Sequence, residues 1–563
     1  MHATPARFRW LLLLAVLALV AAACGNGTDG ETDDPGDPTE EATTDDTGDA
    51  ADEGTEGDEG DEAASGGEFT IYNCEPQSLI PQNSTEVCGS KVLDQLFAGL
   101  YEYDPETSEA VPVMAESLES DDQQTWTITI RDDFTFHDGE PVTAQHFADA
   151  WNFAVDPDAA NQNATFFDIF EGYEEVINGE AEELSGVTVV DDYTLEVSLT
   201  QPFSPFPLMM GYTGFYPLPS VAYEDMEAFE DSPIGNGRYQ MDGSWVHDQE
   251  IAMTRYEDFP AGGDLEPGRA DRIVWAIYND LNAAYLDVQA GNLDILDSIP
   301  PEREGTVAQD LGEENLIRTE TSTFTYMGFP VYQDAWSNPD LRRAVSMAID
   351  RQAIIDAIFA GARTPAQAVI APVLPQHRTD ACPSCEFDPE AARELFESAG
   401  GFDGPMTLYF NSGAGHEEWV EAVGNQLQEN LGIEGIQFES LEFAQYLDLL
   451  EGFEITGPFR LGWVLSYPSP QYALEPLYRT GASSNYFGYA NDEFDSLIDQ
   501  ANSAPSDEDA DELYIQAEDV LLNDMPLIPM WFETRTSIFT DNVSNVVMDA
   551  RTFIRVERVE VNQ

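Results

Sequence analysis

Lysine is nearly missing from this chain: Lys91 is the only one in 563 residues. Lysine and arginine together number 22, against 108 aspartates and glutamates, for a formal charge of −86. Such a field repels polyanions, which excludes nucleic acid and anionic lipid surfaces as partners. The imbalance is not confined to a tail. Residues 25–67 hold 17 of the acids, and the other 91 face 20 basic residues over 68–563, a net charge of −71. A folded body so charged repels itself unless salt screens it, and the Debye length is only ~3 Å at 1 M. The body is therefore expected to work in high salt. Its melting temperature should rise between dilute buffer and molar salt, and a flat or falling trend would remove that reading.

No apolar run reaches the ~20 residues that a membrane helix needs. Trp10–Ala23 is an apolar run of 14 behind Arg7 and Arg9, the pattern of a signal peptide. It ends in Ala21-Ala22-Ala23-Cys24-Gly25. Small residues before a cysteine resemble a bacterial lipobox, with Ala21 where Leu or Val is usual. The resemblance implies a lipoprotein signal peptide over 1–24 and lipidation of Cys24. A plain secretory signal cut after an A-x-A site is the alternative. Residues 25–67 have no aromatic, lysine or arginine, so they cannot bury enough surface to fold and are expected to form an extended acidic tether.

Cysteine is scarce, with five in all. Setting Cys24 aside leaves two pairs, Cys74/Cys88 and Cys382/Cys385, and an even remainder in an exported chain argues for disulfides. Cys382-Pro383-Ser384-Cys385 has no second CxxC and no nearby histidine pair. It also lacks the strand-before, helix-after context of a redox motif, so a local structural clip is expected.

Catalytic signatures are missing too. His416-Glu417-Glu418-Trp419-Val420 begins like a zinc-hydrolase motif, but Val420 stands where the second histidine is required. Neither G-x-S-x-G nor a phosphate-binding loop occurs, and the six histidines are scattered. No enzyme activity, cofactor or metal is expected.

What is present is a mixture of strands and helices without a repeat. Residues 69–73, 126–130, 193–199 and 273–278 read as strands. Helical spacing covers Lys91–Tyr101, Ala144–Phe153 and Asn282–Ala290, and helices are expected to start near Pro339, near Pro389 and after Gly415. The class is α/β or α+β. One stretch, Arg460–Tyr478, runs from an apolar strand into a bend with Pro468, Pro470 and three aromatics, Trp463, Tyr467 and Tyr472. That is a way to build a cleft wall.

The pieces WTITIRDDFTFHDGEPVTAQHFADAWN (Trp126–Asn152), LFAGLYEYDPET, DDYTLEVSLTQP, GNGRY, QAGNLDI, LRRAVSMAIDR and FGYANDEFDSLI occur in that order. Together they resemble the family 5 extracellular solute-binding proteins of ABC importers, which include oligopeptide- and dipeptide-binding proteins. The resemblance covers about 68–563. It implies an α/β, two-lobed periplasmic-binding-protein-like fold with an extra third domain (class II, cluster C type). Lobe I would be 68–102, 186–322 and 534–563, the extra domain II 103–185, and lobe III 323–533, with hinge crossings near Ser322 and Glu533. It also implies that Arg460, Gly462 and Trp463 lie on the cleft wall, with Ser466 and Tyr467 just after them. An extended peptide would pair there and near Glu86 and Val87 on lobe I, pinned by a Cys74–Cys88 bond. Many relatives carry an acid where Ser466 stands, which pairs with the peptide amine; Glu475 and Glu533 are the candidates to replace it. The implied partners are a peptide or small extended solute, an ABC permease and its ATPase subunits, and the membrane through the N-terminal lipid only. The expected state is a monomer on the outer face of the cell membrane. A non-peptide solute, or a sensor or adhesin role on the same fold, stays open.

Overall fold

The computed structural model describes residues 66–562, apart from 261, 263, 264, 403, 413, 414, 442 and 483. Cys24 and most of the expected tether lie outside the described residues. Gly66 and Gly67, expected at the tether's end, belong to the body: their N–H groups donate to the Arg269 carbonyl at 3.0 Å and to Asp271 at 2.9 Å.

Eleven strands form one mixed sheet: β1 (Glu68–Asn73), β2 (Tyr239–Met241), β3 (Glu250–Arg255), β4 (Arg272–Ile277), β5 (Ile295–Leu296), β6 (Leu316–Gly328), β7 (Arg363–Pro365), β8 (Thr407–Asn411), β9 (Gln437–Leu441), β10 (Phe459–Trp463) and β11 (Leu527–Phe539). Their spatial order is β9-β8-β10-β6-β11-β5-β1-β4-β3-β2, with β7 also on β11. Two 13-residue strands, β6 and β11, make this continuity possible. At one end β11 pairs with β5, and at the other β6 pairs with β10. Their mutual ladder shifts register twice, between Thr325↔Trp531 and Tyr326↔Pro529 by one residue, and more widely where Glu320 faces Thr534 and Phe324 faces Phe532, so that Thr321, Ser322 and Thr323 stand against Glu533 alone. Such a bulge bends the ribbon and raises its twist.

Two large cores lie on either side of that bulge. One is built from residues of 69–277 and 543–559 with Ile295 and Tyr467, around Trp151, Trp275 and Tyr239. The other runs from Phe324 to Phe532, around Trp336, Trp419 and Trp531. Within the first, a four-stranded sheet pairs 115–119, 125–130, 194–198 and 187–191. The expected domain boundary at 185/186 cuts this sheet. Thr194–Ser198 hydrogen-bonds along Thr125–Thr129.

Local signals explain the helix starts. Asn338, Asp388 and Asp280 accept backbone N–H groups two or three residues on, and proline follows at the first helical position in two cases. The helix expected over Lys91–Tyr101 is displaced: α1 spans Val87–Leu96. Glu86 begins it, its carboxylate accepting the Gly89 N–H at 2.8 Å, and Tyr101–Tyr103 is strand. Lys91 turns inward from α1 and is buried against Asp297 at 2.6 Å. The lone lysine is a core ion pair rather than a solubilising group.

The C-terminal stretch is held by buried charge. Arg551 bridges Asp94 (2.7 Å) and Asp549 (2.9 Å), and Arg555 contacts Glu557 at 2.6 Å and Glu102 at 3.4 Å. Burial opposes ionisation of Glu557, but Arg555 and Arg238 outweigh it and hold the carboxyl down to about 2.

Candidate ligand-binding site

β10 is paired on one edge along its length, from Gly328↔Phe459 to Phe324↔Trp463. On its other edge β8 contributes only the Tyr409↔Phe459 pair. Beyond Phe459 that edge has no strand partner among the described residues. The chain then turns sharply, and the Leu465 N–H donates to the Ser322 hydroxyl at 3.3 Å. The bulge between β6 and β11 thereby touches the bend directly.

Ser469 and Pro470 start a helix that the sequence reading did not anticipate, α2 (Pro470–Tyr478), with the Ser469 hydroxyl accepting the Gln471 N–H at 3.1 Å. Pro476 lies inside it. A proline has no N–H to give, so the carbonyl four residues earlier, that of Tyr472, loses its helical donor. The Trp463 indole N–H takes that carbonyl at 2.9 Å. The Trp463 and Tyr472 rings lie 5.4 Å apart, and Tyr467 packs on Tyr472 at 4.6 Å. Ser466 donates to the Tyr472 hydroxyl at 3.1 Å. One proline thus ties the strand to the helix through an aromatic cluster.

This cluster forms one wall of a cavity of about 550 Å³. The opposite wall comes from 165–169 and 200–203, in the other core's half of the chain. Phe166 stacks on Tyr472 across it at 6.1 Å and 17°. The two halves also meet where the Ser204 N–H donates to the Asn502 carbonyl at 2.6 Å. A volume of this order suits a small organic ligand.

Trp463 and Tyr467 line the cavity, whereas Glu86, Val87, Arg460, Gly462, Ser466 and Glu533 are not in its lining. Arg460 and Gly462 alternate with Trp463 along β10 and so fall on the other face of the strand. A Cβ on Gly462 would sit 3.2 Å from the Phe324 carbonyl of β6, so the close approach of the two strands favours glycine there. Arg460 donates to Asn411 at 3.2 Å and makes no ion pair among the described residues. Burial lowers its pKa, and burial together with Arg460 holds His416 down to about 3. Glu86 caps α1, and Val87 is its first residue, exposed and helical rather than extended. Glu475 is on the cavity wall but is saturated by Gln471, Arg479 and Asn502. Glu533 sits 3.4 Å from Arg363.

The sequence reading did not single out Phe166 or Asp168. Asp168 lines the cavity and is itself exposed; desolvation by the surrounding wall, and then the charge of Glu475, push its carboxyl up to about 6. Nothing local in the sequence marks it; only the fold brings it opposite α2. The cysteines of each expected pair are neighbours, with Cα–Cα distances of 5.4 Å for Cys74/Cys88 and 5.3 Å for Cys382/Cys385. No helix of the described residues is long and apolar enough to cross a membrane.

Residues 109–485 match the model of bacterial extracellular solute-binding proteins, family 5. The chain is 27% identical over 522 residues to the dipeptide-binding protein DppE of Bacillus subtilis (strain 168), covering 89% of this chain and 93% of that one. It is 26% identical over 498 residues to the oligopeptide-binding protein OppA of the same organism, covering 84% and 89%. Among solved structures, the fold superposes on the Escherichia coli murein tripeptide-binding protein MppA with a TM-score of 0.71 at 24% identity, covering 88% and 98%. It superposes on Haemophilus influenzae OppA in complex with RPPGFSPFR with a TM-score of 0.69, also at 24% identity, covering 89% and 100%. A two-lobed solute-binding architecture and a family match over most of the chain lead to one conclusion: this protein belongs to the family 5 bacterial extracellular solute-binding proteins.

Proposed function

We propose that the chain is a lipid-anchored binding protein that takes up a peptide or similar extended solute and delivers it to an ABC permease. The observation that carries this reading is the edge of β10 that, among the described residues, lacks a strand partner beyond Phe459, where only the Arg460 carbonyl is taken, by the Tyr446 hydroxyl at 2.8 Å, beside an aromatic cavity. An extended peptide can add to such an edge through its backbone, which gives affinity without sequence preference, while its side chains occupy the adjoining space. Arg460, which feels the charge of Glu533 but makes no direct ion pair among the described residues, is suited to a carboxylate of the solute. The names of the similar proteins, which bind dipeptides and oligopeptides, support the same class.

In this reading the bulge of Thr321–Thr323 against Glu533 is the hinge. Lobe I and the extra domain move as one body and lobe III as the other. Ligand shifts the equilibrium because it touches both bodies only when they are closed. Cys24 carries the lipid, 25–67 is the leash, the two cysteine pairs are disulfides, and the protein acts as a monomer. Native mass spectrometry of the protein as purified is the test. A retained peptide is the expected result. A retained sugar, nickel chelate or other non-peptide would replace the peptide reading while keeping the family.

A further inference from the structure

We propose that Pro476 is a positioning residue for solute binding: it keeps the Tyr472 carbonyl free of a helical partner so that the Trp463 indole can hold it, which fixes the ring that faces the solute. This inference rests on the reading above that the solute binds in the cavity facing α2.

Proline is the least favourable residue for a helix interior. Pro470 opens α2 at the first helical position, where no N–H is needed, but Pro476 is the seventh residue of nine. The helix nevertheless continues past it, the Arg479 N–H donating to the Glu475 carbonyl at 3.1 Å. Pro476 is half-buried and lines the cavity. A residue that works against the helix therefore stands at the solute site. A proline ring crowds the carbonyl four residues back and tilts it off the helix axis. That carbonyl belongs to Tyr472, and the Trp463 indole N–H takes it at 2.9 Å. The indole has no other acceptor among the described residues.

Trp463 needs such a tie. It is the last residue of β10 and half-buried, and Val464 after it is 44% exposed. Packing at such a strand end leaves an indole more than one rotamer. A hydrogen bond to a carbonyl of a rigid helix selects among them, and a ring already ordered spares the solute the loss of freedom on binding. An N–H at position 476 would compete for the Tyr472 carbonyl and draw it back onto the helix axis. The indole would then share or lose its acceptor, and its ring could turn. Helix stability and site order are therefore opposed at this residue.

The probe is the peptide that the wild-type protein retains most strongly from a tryptic digest of casein, identified by native mass spectrometry and then synthesised. Calorimetry on the whole protein should show that Pro476→Ala weakens its binding about fivefold, within the range of one neutral hydrogen bond. The variant should melt no lower than wild type, because its helix regains a donor. Trp463→Phe keeps a ring without the N–H and supplies the second background. There Pro476→Ala should change affinity by less than about twofold. An equal loss in both backgrounds would mean that the proline ring touches the solute directly, and overturns the inference. So does unchanged affinity in the wild-type background. A melt well below wild type overturns it too, because the helix would then gain nothing from the new N–H. Each of these leaves the peptide reading standing. Retention of no peptide from the digest removes the peptide reading and this inference with it.

Discussion

Trp463→Ala is expected to weaken solute binding about thirty-fold, roughly 2 kcal/mol. Two effects add. The indole is part of the cavity wall, so its removal takes away ring contact with the solute. It also fills the hydrogen-bond vacancy that Pro476 leaves at the Tyr472 carbonyl. Without it Tyr472 loses a tie, and the stack on Phe166 that joins the two walls loosens. Trp463→Phe keeps a ring but not the N–H, and should fall between wild type and alanine. Calorimetry with the solute recovered from the purified protein is the measurement. An unchanged Kd for the alanine variant would take Trp463 out of the site.

Arg551→Met should be the most damaging single change to stability. Arg551 is 8% exposed and Asp549 2%. Methionine fills similar space but leaves Asp94 without its cation and Asp549 with only Arg555, 3.8 Å away. Breaking a buried pair from one side costs about 3–5 kcal/mol. The guanidinium also lies over the Phe553 ring at 4.6 Å, so packing is lost with charge. A urea midpoint within error of wild type would show that the pair is not load-sharing. The same cluster sets an acid limit. Glu557 is held below its unfolded value, so its contribution is present above about pH 4.5 and is lost as pH falls toward 2. The shift corresponds to about 3 kcal/mol, and Glu557→Gln should flatten stability over that window.

Much of the fold was legible in the sequence because its signals are local. Alternation marked β1 and the Trp126 strand, and a continuous apolar run marked β4. Asn338-Pro339 and Asp388-Pro389 marked helix starts through side-chain caps and proline at the first helical position. The apolar strand before the two prolines marked Trp463 as a wall residue. The misreadings share a cause. α1 starts at Glu86 because a single carboxylate caps it, and the flanking apolar spacing could not locate that cap. The bend holding Pro468 and Pro470 does end the strand, but the helix that Pro470 opens went unread. Strand pairs 187–191 and 194–198 belong with 125–130 because of a ladder to residues some 70 positions away.

Composition alone determined the charge of the body, the shortage of lysine and the lack of a spanning apolar run, since these are sums over residues and need no contacts. Tertiary structure decided which side chains share a space. It put Trp463 on one face of β10 and Arg460 on the other, and it carried Phe166 and Asp168 some 300 residues along the chain to face α2. Proximity of that kind is set by how two cores meet across a bent ribbon, and no window of neighbouring residues contains it.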